Sequence, residues 1–301
     1  MSRNFLELGD HTREELEEIL ALAARLKAEL KSGGARSLPL QGRALAMIFE
    51  KPSLRTRVTF ELGIVQLGGY PVYLTPNDIQ LSQRETVADI GRNLGRWVDL
   101  IMARTFDHQT LLELSRSAGV PVINGLSDLF HPCQLMADML TIREKRGRLE
   151  GLRVAFIGDA NNMANSWVNA AVKFDFELVI ACPRGYEPTP EIRERARGGR
   201  VIVTHDVAEA AAGADVLYTD VWTSMGQEAE AEVRRQAFAG FQINLDLIAR
   251  AKPDVLVMHC LPAHRGEEIT AEAIDAPQSV IFDQAENRLH AQKGVMVWLM
   301  Q

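Results

Sequence analysis

Arg43-Ala44-Leu45-Ala46-Met47-Ile48-Phe49 is apolar after its first residue, and it is followed closely by Ser53-Leu54-Arg55-Thr56-Arg57. A short apolar run bounded by charge reads as a buried strand. Residues 58–67, closed by Gly68-Gly69, read as the next helix. The five-residue motif therefore stands at a strand-to-helix junction. It gathers two guanidinium groups and two hydroxyls where a new helix offers unpaired N–H groups. Arginine forks match the oxygens of a phosphate, so the junction reads as a focused anion site.

The same alternation extends in both directions. Upstream, Thr12-Arg13-Glu14-Glu15 has the form of a capping box. Leu16, Ile19, Leu20, Ala23, Leu26 and Leu30 then keep helical spacing until Gly33-Gly34. Downstream, strands are expected over 71–74, 100–103 and 121–124, with a polar loop at 77–84 and helices from about 85 and over 109–117. His131-Pro132-Cys133-Gln134 brings an imidazole and an amide to another helix start, where the missing N–H of Pro132 costs nothing. That helix is expected to continue towards Gly147 on a stripe of Leu135, Met136, Met139, Leu140 and Ile142. A second series predicts strands over 153–157, 178–181, 201–203, 216–219, 255–259 and 280–282, and a last helix over 286–300.

Alternating strands and helices indicate an α/β protein with parallel sheets covered on both faces. At 301 residues, the expected organisation is two doubly wound domains. One covers 1–140 and is completed by a C-terminal helix at 286–301; the other covers 141–285. The net charge of −7 argues against a nucleic-acid surface. Cys133, Cys182 and Cys260 are odd in number and widely spaced, so no disulfide framework is implied. Residues 1–12 hold no apolar signal core, and no apolar run nears the ~20 residues that span a bilayer. The expected compartment is the cytoplasm, with no membrane partner.

In open parallel sheets, ligands bind beyond the carboxyl ends of the strands. The polar residues cluster at such ends: the 53–57 motif, Arg104, and His131 with Gln134 in the first half. In the second half they are Asp159, Asn161 and Asn162, then residues 220–226, then 260–264. Gly158 opens a turn without G-x-G-x-x-G, and no G-x-x-x-x-G-K-[ST] exists, which argues against NAD and P-loop chemistry. His259 and Cys260 are strand neighbours pointing to opposite faces, so they form no dyad. Cys260 is then placed to face a ligand or Asp220, and His259 is structural. A zinc site from Cys260, His264 and a third group is the competing reading, without paired-ligand spacing to support it. Asp220-Val221-Trp222-Thr223-Ser224-Met225-Gly226 reads either as a capped loop packed by Trp222 and Met225, or as a carboxylate that receives an amino group.

These motifs, ending in His259-Cys260-Leu261-Pro262, resemble the aspartate/ornithine carbamoyltransferase superfamily over nearly the whole chain. Asp220-x-x-x-Ser224-Met225-Gly226 is similar to the signature of its ornithine branch. The aspartate branch has a lysine in the loop at 77–84, a proline at the place of Cys260 and an arginine-rich motif at the Asp220 loop. The resemblance implies carbamoyl transfer from carbamoyl phosphate to the δ-amine of L-ornithine, giving citrulline in arginine metabolism. It implies an active site in the cleft between the two domains, a homotrimer or multiple of trimers, and no cofactor or metal.

Residue by residue, the resemblance implies that Ser53, Arg55 and Thr56 hold the phosphate, with Leu54 giving backbone only and Arg57 packing nearby. Leu54 stands where many ornithine enzymes have threonine. Gln80 would reach in from the polar loop across a subunit interface. Arg104, His131 and Gln134 would hold the carbamoyl end, with Cys260 and Leu261 along the carbonyl and Arg288 closing from the last helix. Asn162, Asp220, Ser224 and Met225 would bind ornithine, and Asp220 and Cys260 would orient the attacking amine. Transfer to another amine, such as N-acetylornithine or putrescine, is the nearest alternative. A non-catalytic anion-binding protein is the alternative of another class.

Overall fold

The computed structural model describes residues 3–34, 37–79, 84–224, 226 and 228–301. The chain divides into two compact units, Met1–Leu140 with Glu286–Gln301, and Thr141–Ala285.

The first unit carries a four-stranded sheet built from β1 (Ala44–Phe49), β2 (Tyr70–Leu74), β3 (Leu100–Arg104) and β4 (Val122–Leu126). The strand order is β2-β1-β3-β4 and every pairing is parallel. β1 and β3 are buried along almost their whole length, as their unbroken apolar runs require. The helix Arg13–Ser32 opens on Thr12, whose hydroxyl accepts from Glu15 while Glu15 answers to the Thr12 N–H. It ends at Gly33, whose φ of 68° is the left-handed conformation that favours glycine. The expected helix after β1 begins earlier than 58. It spans Leu54–Gln66 because Ser53 caps it, accepting from the Thr56 N–H. The polar loop holds a short helix, Pro76–Ile79.

The second unit carries β5 (Arg153–Ile157), β6 (Glu177–Ala181), β7 (Arg200–Thr204), β8 (Val216–Thr219) and β9 (Leu256–His259). Their order is β7-β6-β5-β8-β9, again all parallel. Its core draws Ala155, Ile157, Val179, Leu217 and Val257 together with Ile243, Ile269 and Ile281. The strand expected over 280–282 is not formed. Only Ser279 bridges to Val257, and the helix Ile281–Leu299 begins at once, with Gln284 N donating to Val280 O at 2.8 Å.

Each sheet reverses its direction of growth once. In the first unit β2 lies on one side of β1 and β3 on the other; in the second, β6 and β8 flank β5 in the same way. The crevice at such a switch point, beyond the carboxyl ends of the two diverging strands, is where open α/β sheets take ligands. The loops after β1 and β3, and those after β5 and β8, are therefore the places to look.

Candidate active site

In the first unit the residues around the β1/β3 switch point converge on one hydroxyl. Thr56 is 1% exposed. Its Oγ1 accepts from Arg104 Nη1 at 3.4 Å and from Arg288 Nη2 at 3.2 Å, and Ser53 Oγ lies 3.1 Å away. Arg104 ends β3, Thr56 lies in the first turn of the helix after β1, and Arg288 comes from the last helix. The other arm of Arg288 donates to Gln134 Oε1 at 2.7 Å. Gln134 and His131 stand at the start of the helix Pro132–Arg146.

His131 is buried, and its pKa lies well below the ordinary histidine value. Burial is the main cause, and the charges of Arg288, Arg104 and Arg55 add to it. The ring is thus neutral at physiological pH, a hydrogen-bonding group among cations. Burial likewise pushes the Cys133 thiol up to about 12, so that residue is inert packing.

Arg55 is half-buried, whereas the side chain of Leu54 points to solvent with 75% of its surface exposed. Leu54 can serve only through its backbone. Arg57 turns aside, its guanidinium 3.9 Å from the Tyr73 ring centroid and 3.4 Å from Glu61. Gln80 lies outside the described residues.

In the second unit the β5/β8 switch point gathers carboxylates. Asp220, just beyond β8, is buried. Cys260 Sγ donates to its Oδ1 at 2.9 Å and Asn161 Nδ2 to its Oδ2 at 3.0 Å. Cys260 is paired with Asp220, and His259 lies beside them with its ring nitrogens engaged elsewhere. Its Nδ1 accepts from the Leu261 N–H at 2.8 Å, so the proton sits on Nε2, which donates to Glu268 at 3.0 Å. Both ring nitrogens are committed, so His259 braces the 260–262 turn. Leu261 holds φ at 59°, a strained value for a residue other than glycine.

His264 sits with Glu267 and Glu268, whereas Cys260 sits with Asp220 and His259. The zinc reading from Cys260 and His264 thus joins residues that the fold assigns to different groups.

Of the neighbouring asparagines, Asn161 touches Asp220 and caps the helix Asn162–Phe174, while Asn162 is half-buried at its first position. Ser224 is half-buried, and Met225 lies outside the described residues. Trp222 is buried packing, stacked on Phe238 with its Nε1 donating to Phe241 O.

One group absent from the sequence reading holds this loop. Arg234, 5% exposed, donates from Nε to Trp222 O at 2.7 Å and pairs with Asp159. Burial raises Asp159 to about 6, helped by the charge of Asp220 and opposed by Arg234. A pairing across some 75 positions has no local sequence signal.

The arrangement supplies a buried cationic cradle at one switch point and a carboxylate–thiol–amide cluster at the other. Two family models match: the aspartate/ornithine carbamoyltransferase carbamoyl-P binding domain over residues 3–144, and the Asp/Orn binding domain over 150–299. The chain belongs to the aspartate/ornithine carbamoyltransferase family. A curated relative from Thermococcus kodakarensis named ornithine carbamoyltransferase is 55% identical, over 99% of this chain and 96% of its own. The solved ornithine carbamoyltransferase of Pyrococcus furiosus superposes with a TM-score of 0.95 at 51% identity, covering 98% of this chain and 96% of that one. An N-acetyl-L-ornithine transcarbamylase mutant complexed with PALAO also superposes, at TM-score 0.88 and 31% identity over 99% of each chain. Solved proteins with both names therefore share this fold.

Proposed function

We infer that this carbamoyltransferase is an ornithine carbamoyltransferase: it moves the carbamoyl group of carbamoyl phosphate to the δ-amine of L-ornithine, giving L-citrulline and phosphate. The observation that carries the donor half is the meeting of Arg104 and Arg288 on Thr56 Oγ1 at a helix start. Relatives of full length and more than half identical carry the acceptor half.

The phosphate sits at the first turn of the helix Leu54–Gln66, taking the Ser53 and Thr56 hydroxyls, the Leu54 backbone and the Arg55 guanidinium. Two guanidinium groups and the Ser53 hydroxyl meet Thr56 Oγ1, and an anion at the helix start would draw the Thr56 proton to itself as it binds. Arg104 and neutral His131 point donors at the carbonyl oxygen, Gln134 meets the carbamoyl nitrogen, and Arg288 spans both ends. Cys260 and Leu261 line the carbonyl. Asp220, with Asn162, Ser224 and Met225, holds the amino acid; Gln80 completes the donor site from a second subunit.

A δ-amine with pKa near ~10.4 is almost wholly protonated at neutral pH, and supplying its free base costs roughly 4–5 kcal/mol. Once neutral, its lone pair forms the C–N bond as the carbon–oxygen bond to phosphate breaks. The departing phosphate oxygen takes the nitrogen's proton. The Arg104 charge and the His131 and Thr56 hydrogen bonds stabilise the oxyanion that develops on the way.

The assembly is a trimer or a multiple of trimers. Leu54, Val58, Leu62 and Val65 form one exposed apolar stripe on the helix after β1, and Tyr70 and Val72 are exposed on edge strand β2, which supports a docking face. The three cysteines are thiols, which agrees with a cytoplasmic enzyme; no described helix is long and apolar enough to cross a membrane. The test is a colorimetric ureido assay with carbamoyl phosphate and ornithine, N-acetylornithine or putrescine in separate reactions. Citrulline is expected from ornithine alone; a product from another amine and none from ornithine would refute the acceptor.

A further inference from the structure

Four residues beyond Gln134 on the same helix face lies Asp138, with no exposed surface. Gln134 Nε2 donates to Asp138 Oδ1 at 2.8 Å, and Gln134 Oε1 accepts from Arg288 Nη1 at 2.7 Å. A primary amide can present either end to its surroundings. Here the ends are assigned by chemistry: a carboxylate takes only the NH2 end, and a guanidinium takes only the oxygen. The geometry points to Asp138 as the positioning residue that sets donor specificity, by locking the Gln134 amide so that its oxygen faces the acyl phosphate.

This rests on the donor reading above and deepens it. An amide oxygen has two lone pairs, and Arg288 uses one, so the second is offered to the ligand. Carbamoyl phosphate brings an N–H to that oxygen. Acetyl phosphate has nearly the same shape but brings a methyl group, which leaves a buried acceptor unpaired. Sites built to hydrogen-bond a substrate N–H reject the analogue without it far more strongly than shape alone allows. Without Asp138 the amide is held at its oxygen alone, by Arg288, and can swing about that single bond, so its second lone pair is no longer fixed on the acyl group. Through this bond Asp138 reaches the acyl end of the proposed donor site rather than the phosphate-binding hydroxyls.

The experiment measures dissociation constants for carbamoyl phosphate, acetyl phosphate and inorganic phosphate in the full-length protein and in Asp138→Leu, Asp138→Ala and Asp138→Asn. Leucine keeps the branched shape, with larger methyl groups and no acceptor, alanine serves if leucine prevents folding, and asparagine keeps an acceptor oxygen in place. Far-UV circular dichroism identifies the folded variants. Wild-type protein is expected to prefer carbamoyl over acetyl phosphate. In the leucine or alanine variant that preference should fall about tenfold or more, the scale of one buried hydrogen bond lost, while phosphate affinity stays within about twofold. Asparagine should retain most of the preference. An unchanged preference in a folded leucine or alanine variant would overturn the inference, as would an asparagine variant as unselective as alanine. Both outcomes leave the donor reading intact, whereas wild-type protein that binds no acyl phosphate would remove that reading and the inference together.

Discussion

Thr56→Val tests whether the buried hydroxyl organises the donor site. Valine keeps the branched shape and volume, so the perturbation is the loss of one oxygen. That oxygen now orders two guanidinium groups, Arg104 at 3.4 Å and Arg288 at 3.2 Å. Both bonds are longer than the usual 2.9–3.0 Å, so each contributes at the low end of its class. Letting each guanidinium turn freely before the substrate arrives costs about 0.5–1 kcal/mol in ordering. Losing the donation from Thr56 to a phosphate oxygen costs about 1.5–3 kcal/mol, because one partner is charged.

The sum is about 2.5–5 kcal/mol, and at about 1.4 kcal/mol per tenfold this lowers kcat/KM for carbamoyl phosphate by roughly 60-fold to a few thousand-fold. Steady-state citrulline formation, varying each substrate in turn, separates the effect: ornithine affinity at saturating donor should stay within about threefold. Thr56→Ser keeps the hydroxyl and should stay near wild type. The reasoning fails if the valine variant keeps its donor kinetics, or if serine is as damaged as valine, since the methyl group and not the oxygen would then be what matters.

Asp220→Ala should raise the ornithine KM or lower kcat by about 10^2 while calorimetric carbamoyl phosphate affinity stays within about twofold; equal losses for both substrates would refute the division of labour. Stability should fall as pH drops below 6.5, because His131 and His290 have depressed folded values, the latter about 4, mainly through burial. The unfolded chain then binds more protons, so ΔG rises with pH across this window. Asp159 acts with the opposite sign, since its raised value of about 6 favours the folded state as pH falls from there towards 3.8. Urea titrations from pH 7 to 4.5 should therefore show a net loss that steepens in Asp159→Asn, and a shallower slope in that variant would contradict the assignment.

The parallel strands were legible because double burial demands continuous apolar runs, as in β1 and β3. The 280–282 segment has the same composition yet starts a helix: a three-residue apolar run carries no period, and the Gln284-to-Val280 bond decides its state. The start of the helix after β1 was misplaced by counting apolar residues from 58, when the cap at Ser53 sets it. Strand alternation leaves Cys260 to face a ligand or Asp220, and the structure pairs it with Asp220. Arg288 as a partner of Gln134 and Thr56 is a tertiary meeting of residues far apart in sequence. So is the Arg234 strut, which exists only once the loop after β8 folds over Asp159.

The two switch points also explain how a chain of net charge −7 holds an anionic donor. What the donor would meet in the proposed site is local: Arg55, Arg104 and Arg288 lie close enough to His131 to depress its protonation, so their field acts at short range. Outside that range, screening over a Debye length of about 8 Å hides the surface charge. A neutral His131 follows from burial first and from that field second, and it is useful for the proposed reaction. A fourth cation would hold the phosphate more tightly in ground and transition states alike and gain nothing in rate, whereas a neutral N–H aimed at the carbonyl strengthens only as negative charge develops there. The opposite sign governs the second switch point, where Asp220 and Asp159 suit an ammonium. Both oxygens of Asp220 already accept hydrogen bonds, from Cys260 and Asn161. In the proposed reaction it would therefore orient the amine rather than keep its proton, and a phosphate oxygen would be the base.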